Sequence, residues 1–343
     1  MMDFAGLPLW GVVGIFIAAA AAIAFAGVKL SSVADSLADR TGMGEVIAGA
    51  LFVGAATSLP GAITSIATAA QGAAGIAVGN ALGGLTAQTA FIAVADLFYR
   101  RSNLEHAAAS VTGLAQGVLL VVLLAVPLVA AAEPPVTIAG VHPVSVVLPV
   151  GYGFGLKLLT QIRNDPMWKP VQTDETREPL SGPDDGPDQL SDRALWIRFI
   201  VLAAITAVAG YFIGEASLAI VDKTPLSETA VGTVFAAIAN SLPELVTAIA
   251  AVRIGAVSLA VGDVIGGNAF EVMFLCAADF AYEGSIYEAM SEQDRTTGLL
   301  AMLMTGVLLL GMLRRQKTGV AGIGFESALV LVLYAFSVIL VFL

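Results

Sequence analysis

The chain has 343 residues, 57% of them hydrophobic and 13% charged, with a mean hydropathy of +0.87 and a net charge of −11. That charge argues against nucleic acid as a partner. A single cysteine, Cys276, excludes an intrachain disulfide, and two histidines leave no histidine-rich metal centre.

A bilayer core of about 30 Å takes roughly 20 apolar residues per helix, and such runs recur along the whole chain. In order, the predicted helices cover about 8–29, 43–70, 73–99, 106–131 and 137–159, then 194–218, 227–252, 255–281, 293–313 and 320–342. The first run has the apolarity of a signal peptide, but it has a counterpart later in the chain and reads as a span. Helices two, three, seven and eight carry Gly and Pro interruptions, and short turns at Gln71-Gly72 and 253–255 fold each pair into a hairpin. Between the two groups, residues 161–192 hold five prolines and an acidic excess, the composition of a solvated linker. Asp184-Asp185-Gly186-Pro187-Asp188 lacks the ligand spacing and closing Glu of a calcium loop.

The densest chemistry lies in 240–271. This overwhelmingly apolar stretch carries Glu244, Asp263, Glu271, Asn240 and Asn268, with Pro243 and a run of glycines. Carboxylates at membrane depth are costly and usually mark an ion or proton path. Pro243 frees a backbone carbonyl one turn back, and freed carbonyls can ligate a cation where a helix lines a wet cavity.

The chain repeats itself. A shift of 183 residues lays Ser58-Leu59-Pro60 on Ser241-Leu242-Pro243, Gly79 on Gly262, Gly83-Gly84 on Gly266-Gly267 and Asp96 on Asp279. Over 45–96 against 228–279 there are 20 identities in 52 positions, without a gap. Paired interruptions in corresponding places of two halves point to a transporter's binding site. With ten spans, one face collects 14 of the 16 basic residues, and the other holds only Lys223 and Arg295. The positive-inside rule then puts both termini outside and the central loop in the cytoplasm. Five spans per half is an odd number, so the halves are expected to be inverted. The fold expected is an all-α integral membrane protein with ten transmembrane helices in two inverted five-helix repeats, broken in helices 2, 3, 7 and 8. Its parts are 1–160, the linker 161–192, and 193–343.

These residues resemble the cation/calcium exchanger superfamily, which includes the sodium/calcium exchangers. The resemblance is most specific at N-S-L-P-E (240–244) and G-D-V-I-G-G-N-A-F-E (262–271). It survives in the first half as A-T-S-L-P-G (56–61) and G-N-A-L-G-G-L-T-A-Q (79–88). The resemblance implies alternating-access antiport with cation sites at the midplane. Carried over by position, it implies Glu244 as an ion-binding Glu, Thr57, Ser58, Asn240 and Ser241 as hydroxyl and carbonyl ligands, and Gln88 and Glu271 as a second polar pair. The chain departs from the pattern where Gly61 replaces the first motif's Glu, Gly84 and Gly267 replace serines, and Asp263 replaces Asn.

Bland readings compete at several positions. Asp263 equally suits local backbone structure, and Gln88 equally suits a helix bridge. Asp96, Asp279 and Glu215 read as interfacial acids, Glu45 and Glu228 as helix-start acids, and the glycines first as packing positions. Gly61 and Glu244, equivalent in the repeat, are expected to converge on one cavity.

The function expected is a secondary active antiporter, not an enzyme, exchanging Na⁺ or H⁺ against a cation, with Ca²⁺ the family default. It works without a cofactor, in the plasma membrane, with inorganic cations and the lipid bilayer as partners. A cation/proton antiporter that handles no calcium is the second reading, and a transport-dead scaffold with the same fold is the third. An intramembrane aspartyl protease fits poorly, because Ala260-Val261-Gly262-Asp263 lacks the first glycine of that motif.

Overall fold

The computed structural model describes Phe4 and residues 6–41, 54–99, 102–108, 110–134, 136–138, 140–171, 191–319 and 323–343, the side chains at 39 and 41 excepted. The described residues are helical throughout, apart from one isolated bridge between Ile138 and Val141. In chain order the helices are α1 (Leu9–Thr41), α2 (Ala55–Thr57), α3 (Leu59–Ala69), α4 (Ala74–Asp96), α5 (Leu104–Ala107), α6 (Val111–Ala132), α7 (Val144–Asn164) and α8 (Asp192–Lys223). Then follow α9 (Glu228–Ala230), a π-helical turn (Val231–Ala236), α10 (Ala237–Asn240), α11 (Leu242–Ile254), α12 (Val257–Glu271), α13 (Met273–Ala281), α14 (Glu292–Arg314) and α15 (Phe325–Val341).

Among the described residues, seven helices are long and apolar enough to cross a membrane, and α9 to α11 add an eighth, bent by 46°. α3 and α15 are shorter apolar helices; they fall where the second and tenth expected spans lie. Several expected boundaries move. α1 runs to Thr41 rather than to about 29, so Lys29 is inside the helix, its ammonium 4.3 Å from the Phe25 ring centroid. This is a long cationic side chain lying along apolar surface. α8 begins at Asp192 and ends at Lys223. The eighth expected helix is interrupted at Val272, between α12 and α13. Glu45, Arg100, Arg101 and most of the linker lie outside the described residues.

Local chemistry explains the ends. Ser110, Ser191 and Ser227 each accept the backbone N–H three residues on, and Ser291 with Asp294 forms a reciprocal capping box. Gly255 ends α11 at φ 88°, a left-handed geometry that favours glycine.

α4 is the axis of the bundle, with nearly every residue from Ala74 to Asp96 buried. Its Val78, Leu82 and Leu85 join Val261, Val264 and Ile265 of α12 and Leu120 and Leu124 of α6 in the main core. α1 and α8 lie antiparallel. Arg40 meets Asp192 at 2.6 Å at one end, and the Phe4 and Phe212 rings stack with centroids 6.1 Å apart at the other. Each of these two helices presses a glycine on the proline of a break: Gly27 has no room for a methyl group against Pro243, nor Gly210 against Pro60. Trp10, Phe25, Val150, Leu310 and Val332 face outward, as apolar side chains do on helices bathed in lipid.

Asp96 and Asp279, expected as interfacial acids, are both fully buried within the bundle. Asp96 accepts the amide N–H groups of Leu104 and Gly324 at 2.7 and 3.1 Å, and Asp279 those of Ile286 and His142 at 3.0 and 2.8 Å. Each ties the end of a core helix to its own following connection and to the start of a helix distant in sequence. Glu215 is also buried, and accepts a 2.7 Å bond from Gln71 Nε2.

Candidate cation site

The site is built on the two breaks. α2 stops at Thr57, and α3 restarts after Ser58 with Pro60 in its first turn. α10 stops at Asn240, and α11 restarts after Ser241 with Pro243 in its first turn. Proline suits a first helical turn, where its missing N–H is no loss, but it cannot continue the preceding helix. Thr57, Ser58, Asn240, Ser241 and Glu244 are thereby held at the interrupted backbone, and all five are buried.

Contacts across the breaks join most of the expected residues. Thr57 Oγ1 donates to the Gly54 carbonyl at 3.3 Å and lies beside the Glu244 carboxyl. Gln88 Nε2 donates to Glu271 Oε1, and to Ser241 Oγ at 3.2 Å. Glu244 and Glu271 lie within electrostatic reach of each other. At Gly84 an added Cβ would sit 2.7 Å from Glu271 Oε2, so the glycine is what lets this carboxylate lie against α4.

Asp263 stands apart. It lies eight residues before Glu271 on α12, about 12 Å along a helix axis. Its side chain is exposed, and its charged neighbour is Asp35 of α1.

A second layer escaped the sequence reading. Asn240 Nδ2 donates to Asn80 Oδ1 at 2.7 Å and to Thr64 Oγ1 at 3.1 Å, while Asn80 Nδ2 donates to the Gly61 carbonyl at 2.9 Å and to Ser65 Oγ at 2.8 Å. Asn268 Nδ2 donates to Thr89 Oγ1 at 3.2 Å. One signal was available: Asn80 occupies the position equivalent to Asp263 in the repeat.

Gly61 does not open on free space. A Cβ there would lie 2.8 Å from Phe274 Cε2 and 3.7 Å from Asn80 Nδ2. The ring fills the space where a first-half carboxylate would start.

The remaining valences are all of one kind. Ser58 Oγ, Gln88 Oε1, Asn240 Oδ1, Glu244 Oε2, Asn268 Oδ1 and Glu271 Oε2 are buried with no hydrogen-bond partner among the described residues. Buried polar atoms are normally satisfied, and each unpaired one costs about 1–3 kcal/mol. These six oxygens, two from the carboxylates, three from amides or a hydroxyl on the breaks and α4, and one from Asn268, are the kind of ligand a hard cation takes. No three His, Cys, Asp or Glu side chains converge among the described residues, so hydroxyl and amide oxygens must complete any such shell.

Long apolar helices packed round a buried carboxylate pair define a multi-pass integral membrane protein. The profile of the sodium/calcium exchanger protein family matches residues 11–151 and 194–343. Inner membrane protein YrbG of Escherichia coli K12 is 37% identical over 101 residues, 29% of this chain and 30% of that protein. Sodium/calcium exchanger MaX1 of Methanosarcina acetivorans is 38% identical over 73 residues, 21% of each chain. The matched segments therefore span less than a third of either relative. Among solved structures, the H⁺/Ca²⁺ exchanger CAX superposes with TM-score 0.68 at 14% identity, over 96% of this chain and 86% of that one. The sodium-calcium exchanger NCX_Mj superposes with TM-score 0.62 at 16% identity, over 97% and 99%. The chain belongs to the sodium/calcium exchanger protein family, whose members are transporters and not enzymes.

Proposed function

We propose that the protein is a secondary active antiporter that exchanges Na⁺ or H⁺ against a cation, Ca²⁺ by the family's default, by alternating access at the breaks. Glu244 and Glu271 supply the charge. Thr57, Ser58, Ser241, Gln88 and Asn240 supply neutral oxygens, and Asp263 serves the approach to the site rather than the site itself. The observation that carries this reading is the set of six buried oxygens without a hydrogen-bond partner among the described residues. Calcium takes six to eight oxygens, and two carboxylates balance its charge. A bare pair of buried carboxylates is costly, so the site favours crossing the membrane loaded with the cation or with its exchange partners. That is the condition for coupled exchange.

The proposed frame is ten spans in two inverted repeats, 1–160 and 193–343, joined by a cytoplasmic linker at 161–192, in the plasma membrane with both termini outside. Support comes from the 14-to-2 distribution of basic residues. It also comes from the matching roles of equivalent positions, Gly27 with Gly210 and Asp96 with Asp279. The observation favouring a cation/proton antiporter without calcium is Phe274 standing where a first-half carboxylate would begin.

Purified protein in liposomes tests both. Calcium release driven by an inward Na⁺ or H⁺ gradient supports the first reading, and gradient-driven Na⁺ or K⁺ flux without calcium supports the second. No coupled flux of any tested cation refutes antiport.

A further inference from the structure

At one end of the bundle an open pocket of about 370 Å³ is lined by Gly75, Glu228, Thr229, Tyr282, Ser291 and Asp294, among others. Three chain segments meet there: the turn entering α4, the start of α9 and the start of α14. Below the pocket the seam between α4 and the 228–236 segment is closed. Added Cβ atoms at Gly75 and Gly79 would approach Glu228 and Thr233 within 2.7 and 2.9 Å, and Gly83 leaves no room beside Thr233. From Gly75 to Gln88 is thirteen residues along α4, about 20 Å of helix. The pocket is thus separate from the Glu244–Glu271 site.

Both carboxylates have structural duties, and both have an oxygen to spare. Asp294 Oδ2 accepts Ser291 N–H at 2.9 Å and Ser291 Oγ–H at 2.8 Å, which completes the capping box. Its Oδ1 has no partner within 3.5 Å, although the residue is fully buried and the Thr229 hydroxyl lies beside the carboxylate. Glu228 accepts the Gly75 N–H on Oε2 at 3.0 Å, which leaves Oε1. Neither acid has an ion-pair partner among the described residues. A capping box needs one oxygen, so it does not account for a buried carboxylate whose second oxygen is unpaired beside a second acid. We infer that this pocket is a second cation site, which takes one hard divalent cation from solution between Glu228 and Asp294, with hydroxyls of Thr229 and Ser291 and water completing the shell. A cation held there bridges the starts of α9 and α14 at the head of the closed seam, with the turn entering α4 tied in through the Gly75–Glu228 bond. With two carboxylates and a wet shell, its affinity belongs in the ~10⁻⁴–10⁻³ M range of low-affinity calcium modules.

Tyr282 supplies the probe, since Tb³⁺ replaces Ca²⁺ in oxygen shells and luminesces when an adjacent tyrosine is excited. Detergent-purified protein titrated with Tb³⁺ should give tyrosine-sensitised emission that Ca²⁺ displaces. Asp294→Asn and Glu228→Gln each keep an acceptor for the helix-end amides while removing the charge, and each should raise the half-saturating Tb³⁺ concentration at least tenfold. Tyr282→Phe should abolish the emission. The Glu244→Gln/Glu271→Gln double variant should leave it intact, which separates this site from the proposed transport site. Unchanged elution on size exclusion checks that the variants are folded. Emission that is absent in the wild type, survives both pocket variants, or disappears in the Glu244/Glu271 variant overturns the inference.

Discussion

Gly61 is the position at which the two halves differ most consequentially, and its surroundings fix what a substitution there does. A methyl group at 61 would lie 2.8 Å from Phe274 Cε2 and 3.4 Å from Cζ, inside ordinary van der Waals contact. Phe274 is 2% exposed and cannot swing away freely. Overpacking of this kind costs about 1–3 kcal/mol, whereas replacing a helical glycine by alanine gains up to ~1 kcal/mol. The two terms oppose each other in Gly61→Ala alone, leaving a net cost of about 0–2 kcal/mol, so the informative quantity is the coupling with Phe274. In a Phe274→Ala background the clash vanishes and only the helical gain remains, giving an interaction energy of about 1–3 kcal/mol. Thermal denaturation in detergent reads this at roughly 2–4 °C per kcal/mol for proteins of 150–250 residues. The same logic extends to Gly61→Glu. Alone it should melt lower and bind calcium no better. Combined with Phe274→Ala, the added carboxylate gains room beside Asn80 and should increase stabilisation by Ca²⁺, because a divalent ion gains twice the Coulomb energy of a monovalent one per ligand charge. Additive effects of Gly61→Ala and Phe274→Ala would refute the packing argument. A Gly61→Glu protein that folds and binds calcium more tightly with Phe274 intact would refute the block.

Glu244→Gln should slow exchange on the order of 10²–10³-fold in proteoliposomes, the equivalent of about 3–5 kcal/mol for breaking a buried charged set. Glu271→Gln should impair flux comparably while Gln88 keeps an acceptor, and normal flux in both would remove the site. Glu105, on the short α5, has its carboxyl pushed above the ordinary 4.5 by burial, then by the nearby Asp96 carboxylate. The folded state therefore binds that proton more tightly than the unfolded one, and stability falls as pH rises from 4.5 through the raised value. Glu105→Gln should flatten this decline and melt higher than the wild type above that window, and a steeper decline would contradict it. Asp279→Asn should cost about 1–3 kcal/mol in thermal stability by weakening its charged bonds to two amides and to the Ser145 hydroxyl, and an unchanged melting midpoint would sink that role. Native Cys276 is buried and gives little labelling background. Cysteines near Lys223 and Glu133 should then react with an impermeant thiol reagent on intact cells, and one at Asp185 only after permeabilisation; the reverse pattern inverts the proposed orientation.

How much was legible in the sequence follows from what repeats. Ser-Leu-Pro marks both breaks because proline cannot continue a helix wherever it stands. Gln88 and Glu271, which meet across the site, are 183 residues apart, the shift of the repeat itself. This pair of equivalent positions meets, and it was the family resemblance, carried over by position, that named it. Positions where the halves diverge were harder. Asp263 shares a repeat position with Asn80, yet Asn80 is buried in the amide network and Asp263 is exposed beside Asp35. Sequence equivalence carries the backbone position but not the environment. The burial and partners of Asp96 and Asp279 were hidden, because they lie near helix ends and nothing local shows that connections fold back to cover them. Glycine-, alanine- and serine-rich helices also hide their partners: the contacts of Gly27 and Gly210 with the two prolines depend on crossings that only the assembled bundle defines.

In the four motif segments the divergence between the halves has one direction. At each of two pairs of equivalent positions, Gly61 with Glu244 and Asn80 with Asp263, the first half is neutral and the second acidic. At a third, Gln88 with Glu271, the same holds, and the neutral amide donates to the acid. The first half thus contributes donors and neutral oxygens, and the second contributes the charge. An amide facing a carboxylate is a different device from two facing carboxylates. It orients one oxygen of Glu271 by a hydrogen bond and keeps the other, Oε2, unpaired. Each added carboxylate in a dry site would raise the desolvation cost that a cation must offset, so, under the proposed exchange, a pair with amide support needs less compensation than a symmetric set of four. The asymmetry therefore reads as a lowered charge demand at the site, with Phe274 and Asn80 occupying the volume and hydrogen-bonding capacity that extra acids would otherwise use.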